Sequence, residues 1–346
     1  MHHPDMHELL TAAARPEGLS AELAAAALDG ILASTMSTEQ GAALLIAMRQ
    51  RGETPLELSV WVRGLLAKAI PVDLGRPVMD VVGTGGSGRA RYNASTTACF
   101  VLAAAGVPIA KHGNRGSAKA NGSFDLLEAL GIPLTLPVGG HRRLLDDTGL
   151  CFIFARQVHP AIGAAAAMRK LAAGSVKGTI FNLAGPLANP ARPGRLLLGS
   201  AHATQAAMLA DTVRLVGTSR AIVACGHPGI DEVSVTGPTS LWLVDDTGVS
   251  TSELAAPASA APEETVTGGD GPENAVTFQR LLSGEEHGPL LDFVVANAGT
   301  ALATWRGLAP DDAGCRSEAR ALIASGAVLA AFRRHRTAAR SLVGLA

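Results

Sequence analysis

Val78-Met79-Asp80-Val81-Val82 followed by Gly83-Thr84-Gly85-Gly86-Ser87-Gly88 decides the fold: a β-branched run breaks off into a loop with four glycines in six residues. A few residues on, Asn93, Ser95 and Thr96 open an alanine-rich stretch. The pattern predicts a strand over Val78 to Val82 and a helix over Ser95 to Ala105. The texture repeats downstream, with a strand at Val107 to Ala110 and a helix from Phe124 to Leu130 stopped by Gly131. Leu196 to Gly199 and Ala221 to Cys225 read as further strands. Such alternation predicts an α/β fold with a mainly parallel central sheet and helices on its faces.

Upstream, the first seventy residues read as helices and short turns, beginning with the alanine- and leucine-rich Leu19 to Ala33. Ser37 with Gln40, and Thr54 with Pro55 and Glu57, have the spacing of capping boxes; Gly52 is a helix stop between them. The segment Glu253 to Gly271, rich in Ala, Pro, Ser, Thr and Gly, is predicted to be an exposed connection.

With 346 residues, 47% of them apolar, the chain can bury a full core. A net charge of −1 gives no global field for nucleic acid or an anionic membrane, so any polyanion site must be local. Cys99, Cys151, Cys225 and Cys315 form no CxxC pair, which argues against zinc and a disulfide framework and points to a reducing, cytoplasmic setting. His2, His3, Asp5 and Glu8 precede any apolar run, unlike a secretory signal, and no membrane span is predicted.

Glycines let backbone amides converge on an anion, and a helix N-terminus adds partial positive charge, so Gly83 to Gly88 reads as a phosphate cradle. Plain turns use glycine too, so the loop alone does not decide. No GKS or GKT follows, and the loop is read as distinct from both the P-loop and the dinucleotide fingerprint. The next strand ends in Lys111-His112-Gly113-Asn114-Arg115, placing two cations, a histidine and an amide where open α/β sheets bind ligands. Lys111 and Arg115 are expected to neutralise a diphosphate and a ribose phosphate; Asn114 is expected to bond a ribose hydroxyl or an acceptor.

The motifs GTGG, NxST, KHGNR and GSxDxLEALG, in this order, resemble anthranilate phosphoribosyltransferases. Phe152 to Ala155, His159-Pro160-Ala161, Arg169, Thr179 to Pro190 and Gly229 to Ser234 extend the likeness over almost the whole chain. The resemblance implies a nucleoside phosphorylase/phosphoribosyltransferase-like architecture. A small helical domain (1–72, completed by about 159–178) is hinged to a larger α/β domain (73–158 and 179–346), with the site in the cleft between. It implies a homodimer that moves ribose 5-phosphate from phosphoribosyl pyrophosphate to anthranilate and requires Mg2+.

Asp231 and Glu232 are hard oxygen donors suited to magnesium, with Ser95 implied beside them. Gly83, Thr84, Gly85, Gly86, Ser87, Asn93, Ser95, Thr96, Lys111, His112, Gly113, Asn114, Arg115 and Lys119 are the implied donor-binding set. Arg169 is implied to hold the anthranilate carboxylate, His112 to do acid/base work and His159 to position. Adjacent carboxylates are more often a solvated loop, and a lone histidine is more often structural; the surrounding motifs shift that balance.

The chain departs from the family pattern at Ser87 (usually Asp), at Ala118 and Lys119 (usually serines), at Gly178 (usually Arg), and in a longer Leu171 to Lys177. These departures keep open a different aromatic or heterocyclic acceptor. A non-catalytic nucleic-acid-binding relative is the other alternative, which the charge balance and the retained Asp231, Glu232 and Arg169 disfavour.

Overall fold

The computed structural model describes residues 4–88, 91–116, 120–258 and 260–345. The chain begins with four helices, α1 (Met6–Ala14), α2 (Ala21–Leu32), α3 (Thr38–Arg51) and α4 (Pro55–Lys68). It continues through β1 (Met79–Gly83), α5 (Ala94–Ala104), β2 (Ile109–Gly113), α6 (Ser123–Ala129), α7 (Gly140–Thr148), β3 (Leu150–Phe154) and α8 (Ala155–Val158). A 3₁₀ turn (Pro160–Ala165) leads to α9 (Ala166–Ala172), α10 (Ile180–Leu187), β4 (Arg195–Gly199), α11 (Ala203–Val216) and β5 (Arg220–Gly226). The hairpin β6 (Thr239–Asp245) and β7 (Gly248–Leu254) follows, then α12 (Gly271–Ser283), α13 (Pro289–Arg306), α14 (Ala313–Ala324) and α15 (Ala327–Leu342).

The strands form one seven-stranded sheet in the order β3-β2-β1-β4-β5-β6-β7. The first five are parallel, and β6 and β7 add an antiparallel edge. The chain steps outward from β1 to β2 and β3, then crosses back to β4 on the other side of β1. The order therefore reverses between β1 and β4, and the crevice outside the carboxyl ends there is where such sheets take ligands.

Side-chain alternation sorts the core onto two faces. Met79, Val81, Leu197 and Ile222 join Phe100, Phe152, Phe278 and Phe332 on one face. Val82, Leu196, Leu198 and Val223 face the helical bundle around Trp61, Leu44 and Met48. Helix α9 packs on the same bundle: a Cβ on Gly41 of α3 would lie 2.3 Å from Met168 Sδ.

Both capping boxes form, with Gln40 N donating to Ser37 Oγ (3.2 Å) and Glu57 N to Thr54 Oγ1 (3.2 Å). Glu57 is fully buried and also accepts from Leu19 N and Arg51, so one cap doubles as a polar tie within the bundle. Three expectations shift. Helix α1 precedes Leu19, capped by Asp5, whose carboxylate accepts from Glu8 N. Strand β2 runs on to Gly113, because Lys111, His112 and Gly113 pair with β3 despite their polar or flexible character. The Glu253 to Gly271 connection is not wholly exposed: it begins inside β7 and makes a short turn that buries Val266. Among the described residues no helix is long and apolar enough to cross a membrane.

Candidate active site

Gly85 (φ +65°) and Gly86 (φ +83°) take consecutive left-handed conformations, which turn the loop after β1 back over the sheet edge. Gly85 N donates to Asp231 Oδ2 at 2.8 Å. Gly83 and Gly199 are register partners at the ends of β1 and β4. A Cβ on Gly199 would lie 1.6 Å from the Asp231 carbonyl oxygen, and one on Gly83 would lie 2.3 Å from its Oδ2. The two glycines are thus the slot into which the turn after β5 drops its carboxylate. One expectation needs correction here: Gly83-x-Gly85-x-x-Gly88 formally has the dinucleotide spacing. What separates it from that fingerprint is the helix, which begins only at Ala94 instead of within the glycines.

Asp231 and Glu232 are half-buried and lack the partners that two ionised carboxylates need. Glu232 Oε2 has no hydrogen-bond partner. Burial pushes the Asp231 carboxyl up, and it pushes Glu232 well up with further help from the Asp231 charge. Arg91 and Lys111 oppose both shifts without cancelling them. Hard oxygens that repel each other, and whose neighbouring cations do not offset their desolvation, fit a divalent cation. Among the described residues no group of three or more His, Cys, Asp and Glu converges. A cation on this pair would need further ligands besides the two carboxylates.

The cleft has a volume of about 600 Å³, and every described residue of the expected set lines it. Lys119, with Ala118, lies outside the described residues. The roles within the set differ from expectation in several places. Lys111 is 2% exposed, and its ammonium donates to the Val81 carbonyl. It is an internal counter-charge to Asp80 more than a free hand for the donor. Arg115 is exposed and pairs with Glu128 at 2.6 Å, and Asn114 Oδ1 accepts from Arg115 N. Asn93 does not cap α5; its amide donates to Asn121 O and accepts from Asn274, bridging the two ligand loops to α12. Thr96 is buried, and its hydroxyl lacks a partner. Ser95 lines the cleft from the first turn of α5.

His112, His159, Phe181 and Arg169 line the same cleft as the glycine loop. The two imidazole rings lie 5.3 Å apart. His112 Nδ1 lies 3.2 Å from Gly185 O, and a carbonyl can only accept, so the proton is on Nδ1 and Nε2 keeps its lone pair. Burial, helped by His159, depresses the His112 pKa to about 3. In the free chain His112 is therefore neutral and offers Nε2 as a hydrogen-bond acceptor. His159 is tied through Nε2 to Ala188 O at 2.7 Å. Arg169 is half-buried, with its guanidinium 5.5 Å from the Phe181 ring centroid, and no described carboxylate pairs with it. An aromatic face beside an unpaired, partly desolvated guanidinium suits an aromatic carboxylate.

Sequence reasoning missed the layer beneath. Asp80, fully buried, accepts from His112 N (3.2 Å) and Asn189 Nδ2 (2.8 Å), fixing the start of the second loop. A charged residue in an otherwise apolar strand was the available signal. Also missed was Arg91, which precedes α5 and pairs with Glu263 at 3.1 Å. The β7–α12 connection clasps both loops: Tyr92 N donates to Val266 O, and Gly271 N to Ala120 O.

A sheet switch point, a glycine cradle, an acidic pair and a cationic aromatic wall meet in one cleft, an arrangement suited to a phosphorylated ligand beside an aromatic acid. Residues 75–329 match the α/β domain of the glycosyl transferase family, and residues 7–69 match its helical bundle domain. The chain is 39% identical over 343 residues to an anthranilate phosphoribosyltransferase of Rubrobacter xylanophilus, covering 98% of this chain and 99% of that one. It is 38% identical over 327 residues to that of Roseiflexus castenholzii, covering 92% and 94%. The solved structure of the Thermus thermophilus anthranilate phosphoribosyltransferase superposes with a TM-score of 0.86 at 35% identity, covering 96% of this chain and 99% of that one. The Saccharomyces cerevisiae enzyme in complex with PRPP and Mg does so with 0.87 at 26%, covering 98% and 100%. The chain belongs to the anthranilate phosphoribosyltransferase family.

Proposed function

We propose that this protein transfers the 5-phosphoribosyl group of phosphoribosyl pyrophosphate to the amine of anthranilate, a step of tryptophan biosynthesis. The observation that carries the reading is one cleft lined by two chemically different sets of residues. One set is a glycine loop and an acidic pair for a metal-bound diphosphate; the other is the unpaired Arg169 beside Phe181 for an aromatic acid.

In the transfer the amine nitrogen bonds to ribose C1 as the C1–oxygen bond to diphosphate breaks, so negative charge grows on the leaving group. Magnesium held by Asp231 and Glu232, with Ser95 beside them, would supply positive charge to that diphosphate. The loop amides beyond Gly85, whose own N–H is taken by Asp231, offer donors to the same oxygens. Arg169 takes the acceptor's carboxylate, and His112 Nε2 accepts a hydrogen bond from its amine, aligning the nitrogen lone pair on C1. With its pKa near 3, His112 orients this proton without taking it; the proton leaves to water or diphosphate after the bond has formed.

Purified protein given phosphoribosyl pyrophosphate, magnesium and anthranilate should quench anthranilate fluorescence with one pyrophosphate released per anthranilate consumed. Intact donor binding with no quenching would refute the acceptor assignment and leave the donor half standing.

A further inference from the structure

Arg91 carries a charge that the chemistry above leaves unused. The residue is 7% exposed, lines the same cleft as Asp231 and Glu232, and its charge acts on both. Nη2 donates to Glu263, while Nε is buried without a partner. A guanidinium presents five donors in a planar fork that matches phosphoryl oxygens, and buried donors left unpaired are costly. Its position is fixed from behind. Tyr92 N is bonded to Val266 O, the Tyr92 hydroxyl to Thr97, and Gly268 approaches so closely that a Cβ there would lie 2.3 Å from Arg91 O. Glu263 reaches Arg91 from the connection that clasps the glycine loop, and its carboxylate is more exposed than the guanidinium it meets.

We propose that Arg91 is a diphosphate-binding residue of this cleft: a cation fixed in the protein that grips the leaving group beside the metal pair, with Glu263 as its resting counter-ion. The assignment rests on the phosphoribosyl-transfer reading for its ligand, yet it can be tested without turnover. A metal-held site loses its charge when divalent ions are removed; an arginine does not. The chain should therefore keep measurable affinity for a bare diphosphate.

The test is calorimetric titration of the full chain with inorganic pyrophosphate in EDTA at low salt, for wild type, Arg91→Met and Arg91→Lys. Wild type should bind, and Arg91→Met should bind at least about tenfold more weakly, as expected for loss of a charge-assisted contact. Arg91→Lys, which keeps a point charge but not the fork, should fall between them. If the methionine variant does not fold, the lysine variant decides, with several-fold weaker binding expected and equal binding overturning the proposal. No wild-type binding without metal, or methionine binding within twofold of wild type, overturns it too. A protein that binds pyrophosphate through Arg91 yet consumes no anthranilate would instead sink the acceptor reading while sparing this one.

Discussion

Two places along the sheet bury carboxylates, and they are solved in opposite ways. Asp80 in β1 is surrounded by what a carboxylate needs: the Lys111 charge, the Asn189 amide and the His112 backbone N–H. Desolvation still lifts its pKa to about 6, and Oδ1 has no partner, but Oδ2 accepts two hydrogen bonds and the Lys111 charge stands against the carboxylate. Asp231 and Glu232, in the turn after β5, have the charges of Arg91 and Lys111, a Gly85 amide and an orphaned oxygen. The first arrangement is anchored within the chain by these partners and holds the loops in place. The second is closed only by something bound. The number of protein partners and the absence of a like charge next door, more than residue type, separate the architectural acid from the functional ones.

Breaking the anchored site should hurt folding most. Asp80→Ala leaves the Lys111 ammonium buried without its counter-charge, which costs about 3–5 kcal/mol by analogy with broken buried pairs. Denaturant unfolding should show the loss at pH 8; a midpoint near wild type would mean that Val81 O alone satisfies Lys111.

Breaking the open site should spare folding and abolish chemistry. Glu232→Gln removes a repelling charge, so the metal-free protein should melt at the wild-type temperature or above it. Turnover at saturating substrates should drop by roughly two to three orders of magnitude, the range for loss of a key electrostatic stabiliser. A variant that both melts early and retains turnover would reverse the assignment of the two sites.

The same contrast explains how much the sequence disclosed. The glycine loop, the capping boxes and the Asp231-Glu232 dipeptide were legible because turn chemistry, caps and adjacent charges are local in the chain. Asp80, Asn189 and Gly199 were opaque: each acts through a neighbour brought up by strand order, and nothing local marks a strand-terminal glycine as a slot for a carboxylate more than thirty residues later. Lys111 misled for a related reason. Its strand position places it at the ligand edge, but only the packed sheet turns its ammonium inward to Val81. The β7–α12 connection read as exposed by composition, whereas its backbone clasps both ligand loops.

Gly199 offers a finer cut, since it shapes the open site without belonging to it. Gly199→Ala would place a methyl 1.6 Å from the Asp231 carbonyl and force the β5 turn away from the glycine loop. Magnesium affinity, read by calorimetry with phosphoribosyl pyrophosphate present, should weaken by about 10–100-fold, as for loss of a group that orients metal ligands. An unchanged affinity would mean that the turn relaxes without moving the carboxylates.

The smallest effect is the most discriminating, because it reads Glu232 itself. Its carboxyl is raised in the folded protein by burial first and by Asp231 second, against an ordinary value of 4.5. A folded-state pKa above the unfolded one means that the native protein holds the extra proton. The associated stability is then fully present below pH 4.5 and is lost as pH rises through the raised value. The slope is at most roughly 1.4 kcal/mol per pH unit for one group. Asp80 contributes in the same sense up to about pH 6, and the buried His112 and His335, both depressed to about 3, contribute oppositely below 6.5. These backgrounds are common to wild type and Glu232→Gln, so the difference between their metal-free stabilities isolates Glu232. That difference should favour the glutamine variant increasingly as pH rises above 4.5, and magnesium with pyrophosphate should shrink it by restoring the missing charge to wild type alone. A pH-independent difference would show that Glu232 is already compensated in the free chain, and the contrast with Asp80 would vanish.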